Sequence, residues 1–159
     1  LPCIRIFRSL RKRRKRTVNK SVGVWVILGI ALLLTGGVAL SGVSPTIKKI
    51  ANAIATAEGF FVKGSLPQQY HNPGDLTKDL NGKGIGTGSQ GLIMYPDDES
   101  GWEALYMQVQ YFFSEDKWGN GEYTISQIAQ TYAGDWINWA SNVAAELGVT
   151  TDTRLNQIS

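Results

Sequence analysis

Ile47, Ile50, Ala51, Ile54 and Ala57 recur at helical spacing, which predicts a helix with one buried face. Ser44 and Pro45 supply its start, as N-cap and first helical residue, and Gly59 supplies its end. Residues 62–96 show no helical period. They are rich in Gly, Pro, Asn and Asp, and Leu92-Ile-Met-Tyr95 before Pro96 reads as a strand in an irregular, Gly-rich lobe with a small hairpin. From Ser100 the helical period returns. Ser100-Gly-Trp-Glu103 has the form of a capping box, and Trp102, Leu105, Tyr106, Val109, Phe112 and Phe113 make an apolar stripe behind it. Thr124-Ile-Ser-Gln127 is a second capping box, and a third helix opens near Asp135, with Trp136, Trp139, Val143 and Leu147 turned inward before Gly148. Residues 44–159 are therefore expected to form one mostly helical α+β domain, long enough to bury a core of its own. Trp102, Trp139, Phe112 and Phe113 are assigned to that core.

Ahead of this domain the pattern changes. Residues 21–43 hold no charge, and 23 residues at ~1.5 Å each span about 34 Å, enough for one transmembrane helix across a hydrocarbon core of roughly 30 Å. The run is too long for the usual core of a signal peptide. Residues 1–20 form a basic arm that carries nine of the 16 Lys and Arg residues. Its charge flanks the apolar run, so the positive-inside rule puts the arm in the cytoplasm and the domain on the other side. The arm suits anionic lipid or other membrane proteins, and residues 5–20 are the only part able to contact nucleic acid. From Ser44 onward there are 7 basic and 13 acidic residues, a net of −6, which leaves the domain no footprint for nucleic acid. With no linker after residue 43, thirteen residues of helix would hold Glu58 only ~20 Å from a bilayer. The chain begins with Leu, so further residues are expected before it.

The chemistry open to this chain is narrow. Cys3 is the single cysteine and His71 the single histidine, and there is no HExxH or CxxC pattern, so no metal or other cofactor is expected. A Ser nucleophile of the GxSxG type is missing too, and the glycines of the lobe lack the Gly-Lys-Ser/Thr ending of a phosphate loop. Carboxylate acid/base chemistry remains. Glu58 sits at the C-terminal end of the first helix, where the helix dipole disfavours a negative charge and should raise its pKa, as a general acid requires.

The order AIATAEGF, NPGDL, Gly-rich lobe, DESGWEAL, YTISQIAQTYAG and WASNVAAELGV, over about residues 47–158, resembles the lysozyme-like domains of lytic transglycosylases and phage peptidoglycan hydrolases. That resemblance implies a lysozyme-like fold with Glu58 as the catalytic acid beside a cleft for glycan strands. The reaction it implies is cleavage of the β-1,4 bond between N-acetylmuramic acid and N-acetylglucosamine. In a transglycosylase Glu58 would then help the sugar's own 6-hydroxyl close an anhydro ring, and that one-carboxylate route is the expectation here. A hydrolase would need a second carboxylate. Asp75, Asp79, Asp97 and Asp98 are the candidates, with Asp75 read first as a turn residue that satisfies local backbone. Tyr70, His71 and Asn72 are expected on a loop facing Glu58, where Asn72 would bind an acetamido group. Tyr132 and Trp136 are expected to floor a sugar subsite. The setting suggested by the resemblance is the virion membrane of a membrane-containing bacteriophage, where such an enzyme opens the cell wall, or else the bacterial inner membrane with the domain in the periplasm. The alternative is an inactive lysozyme-like protein that links the virion membrane to capsid or genome.

Overall fold

The first described helix, α1 (Pro45–Ala57), begins where Ser44 Oγ accepts the Ile47 N–H at 3.2 Å, with Pro45 in the first turn. It buries Ile50, Ala51, Ala53, Ile54 and Ala55. The computed structural model describes residues 42–114 and 119–159, all within one compact unit. The basic arm, and the uncharged run apart from Gly42 and Val43, lie outside the described residues, and with them the expected membrane crossing. No helix among the described residues is long and apolar enough to cross a membrane.

After α1 comes a one-turn helix, α2 (Leu66–Gln69), capped by Ser65, in a stretch where no helix was expected. Four residues are too few to display a period, so only the Ser-x-Pro start could have signalled it. The lobe that follows holds the hairpin. Strands β1 (Gly86–Thr87) and β2 (Ile93–Met94) pair antiparallel, with Gly86 opposite Met94 and Thr87 opposite Ile93. Leu76, Ile93, Tyr95 and Ala104 form a small apolar cluster beneath it.

Helix α3 (Asp98–Phe112) starts ahead of the expected capping box. Asp97 is the N-cap, and its Oδ1 accepts the Ser100 N–H at 2.8 Å. Glu103 is buried and turns to Lys83 Nζ at 2.5 Å instead of back to the helix start. An aspartate three residues earlier simply outcompetes the serine, since both are good caps. At α4 (Ile125–Tyr132) the expected box is present: Thr124 and Gln127 each bond the other's backbone N–H. Helix α5 (Trp136–Leu147) opens at Asp135 and closes at Gly148.

Helix α1 packs against α3 and α5, and α4 against α5. The main core runs between them, through Ile50, Ile54, Leu105, Val109, Phe112, Ile128 and Val143. Burying each such side chain contributes about 2 kcal/mol. The C-terminal segment straps the bundle, as Ile125 and Ser126 donate their N–H groups to Thr153 and Thr151, and Leu155 and Ile158 are buried. The described domain is thus α+β and mostly helical, with one two-stranded sheet.

Candidate active site

Glu58 is held by the way α1 ends. The Phe60 N–H bonds the Ala55 carbonyl at 2.9 Å and the Gly59 N–H bonds the Thr56 carbonyl at 3.0 Å, a paired closure that needs a left-handed residue at Gly59, where φ is +76°. Phe60 is thereby drawn into the core. Glu58, the residue before Gly59, takes the capping position. Its Oε1 accepts a hydrogen bond from Trp139 Nε1 of α5 at 2.7 Å.

Burial pushes the Glu58 pKa up from 4.5 to about 7; the Trp139 hydrogen bond pulls it down, and the nearby Asp75 charge raises it. The direction is the one expected from the helix end, but its main cause is loss of water on burial. A carboxyl group of this kind holds its proton near neutral pH and can give it up to a bound oxygen.

Facing Glu58 is the turn 72–76. Asn72 is completely buried, and its Nδ2 donates to the carbonyls of Leu76 and Ile93 while its Oδ1 accepts the Leu76 N–H, all at 2.9 Å. The expected acetamide contact from Asn72 is therefore corrected: both donors and the oxygen already serve the backbone. On the other side the Tyr132 hydroxyl donates to the Gly74 carbonyl. A Cβ on Gly74 would lie 2.7 Å from Leu105 Cδ1 and 3.2 Å from the Tyr132 hydroxyl, so a larger residue here would have to displace the Leu105 side chain. Between the two clamps Asp75 adopts φ +49°, a left-handed conformation that Asp tolerates better than most residues.

A cavity of about 330 Å³ opens between these parts, lined by Glu58, Asp75, Tyr132, Asn138, Trp139 and Asn142, with Ala57, Ala133, Gly134 and Asp135 around them. A second, of about 250 Å³, continues past Asp75 and Tyr132 to Lys78, Gln108, Tyr111 and Thr131. Asp75 and Tyr132 line both hollows, and Glu58 lines the first. Comparison with protein-family models, curated proteins and solved structures found no match. The reading of the cleft therefore rests on its own geometry and on the order of motifs in the sequence.

Of the residues expected to bind substrate, Asp75 and Tyr132 join Glu58 at the cleft and the others line neither hollow. The Tyr70 hydroxyl accepts the Ser89 N–H at 3.1 Å, which lowers its pKa and ties the lobe together. His71 Nδ1 lies 2.6 Å from Asp98 Oδ1 at the start of α3. Trp136, in the first turn of α5, is partly exposed outside the cleft. Tyr132 reaches the site with its hydroxyl turned onto Gly74, and burial raises its pKa well above the usual value.

Trp139 is the correction in the opposite sense. It is packed in the core as expected, 5.1 Å from the Tyr132 ring, yet its indole N–H is what grips Glu58. Asn138 and Asn142 were not anticipated either. Their i, i+4 spacing, with Trp139 between, was the available signal for one face of α5 lining a site. Among the described residues no cluster of His, Cys, Asp or Glu is arranged to hold a metal ion.

Proposed function

We propose that this domain cuts the glycan strands of peptidoglycan, with Glu58 as the general acid that protonates the glycosidic oxygen. The observation that carries this is the carboxyl group of Glu58, buried at a helix end, held by Trp139 and lining a cavity of about 330 Å³ together with Asp75. Burial raises its pKa to about 7, which suits proton donation near neutral pH. The lysozyme-like motif order supports the β-1,4 bond between N-acetylmuramic acid and N-acetylglucosamine as the target. It also supports the architecture: a first helix ending in Glu, a small hairpin lobe, then three helices. Amide side chains at Asn138 and Asn142 are suited to acetamido groups, and the ring of Tyr132 to a sugar face.

The chain would work as a membrane-anchored enzyme, tethered by the uncharged run 21–43, in a phage virion membrane or a bacterial inner membrane. Purified murein incubated with the protein should release soluble muropeptides, and Glu58→Gln should abolish the release. Intact murein after incubation with folded wild-type protein, beside a muramidase that digests it, would exclude the activity.

A further inference from the structure

We propose that Asp75 is a second catalytic carboxylate, the base that activates water, so that the cleft hydrolyses the glycosidic bond instead of closing an anhydro ring. This rests on the glycosidase reading above and departs from the one-carboxylate route that the sequence suggested.

Four aspartates were candidates, and the structure commits three of them elsewhere. Asp79 accepts the N–H groups of Gly82 and Gly84, each at 3.0 Å. Asp97 caps α3, and Asp98 faces His71. None of the three lines the cleft. Asp135 does reach its rim, but one of its oxygens caps α5 by accepting the Asn138 N–H and the other accepts from Asn138 Nδ2 at 2.6 Å.

Asp75 is different. A turn aspartate ordinarily spends its oxygens on nearby backbone N–H groups. Here Asn72 performs that task, and Asp75 Oδ1 is buried with no hydrogen-bond partner. The other buried polar atoms without partners among the described residues, the hydroxyls of Tyr95 and Ser114, lie outside the cleft. A charged-group oxygen without a donor is costly, of the order of 1–3 kcal/mol or more, so its retention calls for a reason. The left-handed backbone at Asp75 and the clamps on both sides, Tyr132 on Gly74 and Asn72 on Leu76, hold this carboxylate in the hollow that contains Glu58. The two are close enough for the charge on Asp75 to act on Glu58.

In the proposed step Glu58 gives its proton to the bridging oxygen as the bond from that oxygen to the anomeric carbon breaks. A water oxygen forms the new bond to that carbon, and its proton passes to Asp75. Solvent then returns a proton from Asp75 to Glu58. The products are a reducing-end sugar and a free 4-hydroxyl, with no change in oxidation state.

Product masses distinguish the two reactions. The full chain in detergent micelles is incubated with purified murein, and the soluble muropeptides are weighed. Reducing ends are expected; anhydro ends, one water lighter, would overturn this inference and leave the glycosidase reading standing. Asp75→Asn, which tolerates the same backbone, is expected to release muropeptides at least ~100-fold more slowly with Glu58 untouched. A folded Asp75→Asn protein as active as wild type also overturns it. Should that variant not fold, the wild-type product masses alone separate hydrolysis from ring closure. A wild-type protein that releases nothing refutes the underlying reading, and this one with it.

Discussion

At the scale of single residues, the cleft is a pair of carboxyl groups whose environments differ. Asp75, raised by burial to about 6, and Glu58, raised to about 7, are in their working protonation states together only in a narrow window. The groups facing that pair are the Tyr132 hydroxyl from α4, Trp139 and Asp135 from α5, and, through the second hollow, Lys78. A profile of kcat/KM against pH should therefore be a bell, rising as the pair loses its first proton near pH 6 and falling as it loses the second near 7. A flat rate across both limbs contradicts the pairing. Trp139→Phe removes the donor that lowers the Glu58 pKa, so its alkaline limb should move upward. Stability follows the opposite course. Folded Glu58 keeps its proton to about pH 7, whereas the unfolded chain releases it near 4.5. Its favourable contribution is complete below the lower value and is lost as pH rises through the upper one. Glu58→Gln retains an acceptor for Trp139 and cannot ionise. Its thermal unfolding should match wild type in mild acid and exceed it at about pH 8, by roughly 3 kcal/mol at most. Glu58 was legible in the sequence because helix period and a C-terminal glycine locate it without tertiary information. Asn72 and Asp75 were not, because a turn motif does not say which of its two polar side chains serves the backbone.

At the scale of elements, the turn 72–76 positions the acid's partner, and one buried side chain holds it. Asn72→Ala would leave the carbonyls of Leu76 and Ile93 and the Leu76 N–H without their partner in a buried site. A loss of about 3 kcal/mol is expected, with the cleft distorted as well. His71→Ala removes only a partly exposed contact with Asp98 and should cost less than about 1 kcal/mol. Thermal melts of the two variants test the ranking, and equal losses would remove Asn72 from its assigned role. The elements themselves were readable to different depths. Helices α1, α4 and α5 carry their own caps at Ser44, Thr124 and Asp135, so local chemistry was enough. The start of α3 was misplaced because two capping residues compete within one turn, and only the Lys83–Glu103 pairing reveals that Glu103 is engaged elsewhere. The hairpin was visible through Leu92-Ile-Met-Tyr95, but its partner, Gly86–Thr87, has no strand signal of its own and is defined by pairing alone.

At the scale of the molecule, everything the cleft needs is contained in the acidic part of the chain. The main core uses residues from Ile50 to Ile158, and the cavity walls run from Ala57 to Asn142. Lys49 Nζ reaches the Ser159 carbonyl at 2.7 Å, which joins the first helix to the last residue. Residues 44–159 produced alone should accordingly unfold in one cooperative transition, and should cleave murein if the carboxylate pair is the machinery. Their net charge of −6 then has a consequence for rate. Peptidoglycan stems also carry carboxylates, so on the proposed function domain and substrate would repel each other, and salt that shortens the Debye length from about 30 Å at 0.01 M to about 8 Å at 0.15 M should speed digestion. The basic arm, with nine Lys and Arg residues in the first 20, is expected on the opposite side of the bilayer from the domain and leaves that sign unchanged. Digestion rates of the full chain and of residues 44–159 across a salt series therefore ought to slope in the same direction. Opposite slopes would mean that the arm reaches the wall beside the domain, against the expected sidedness.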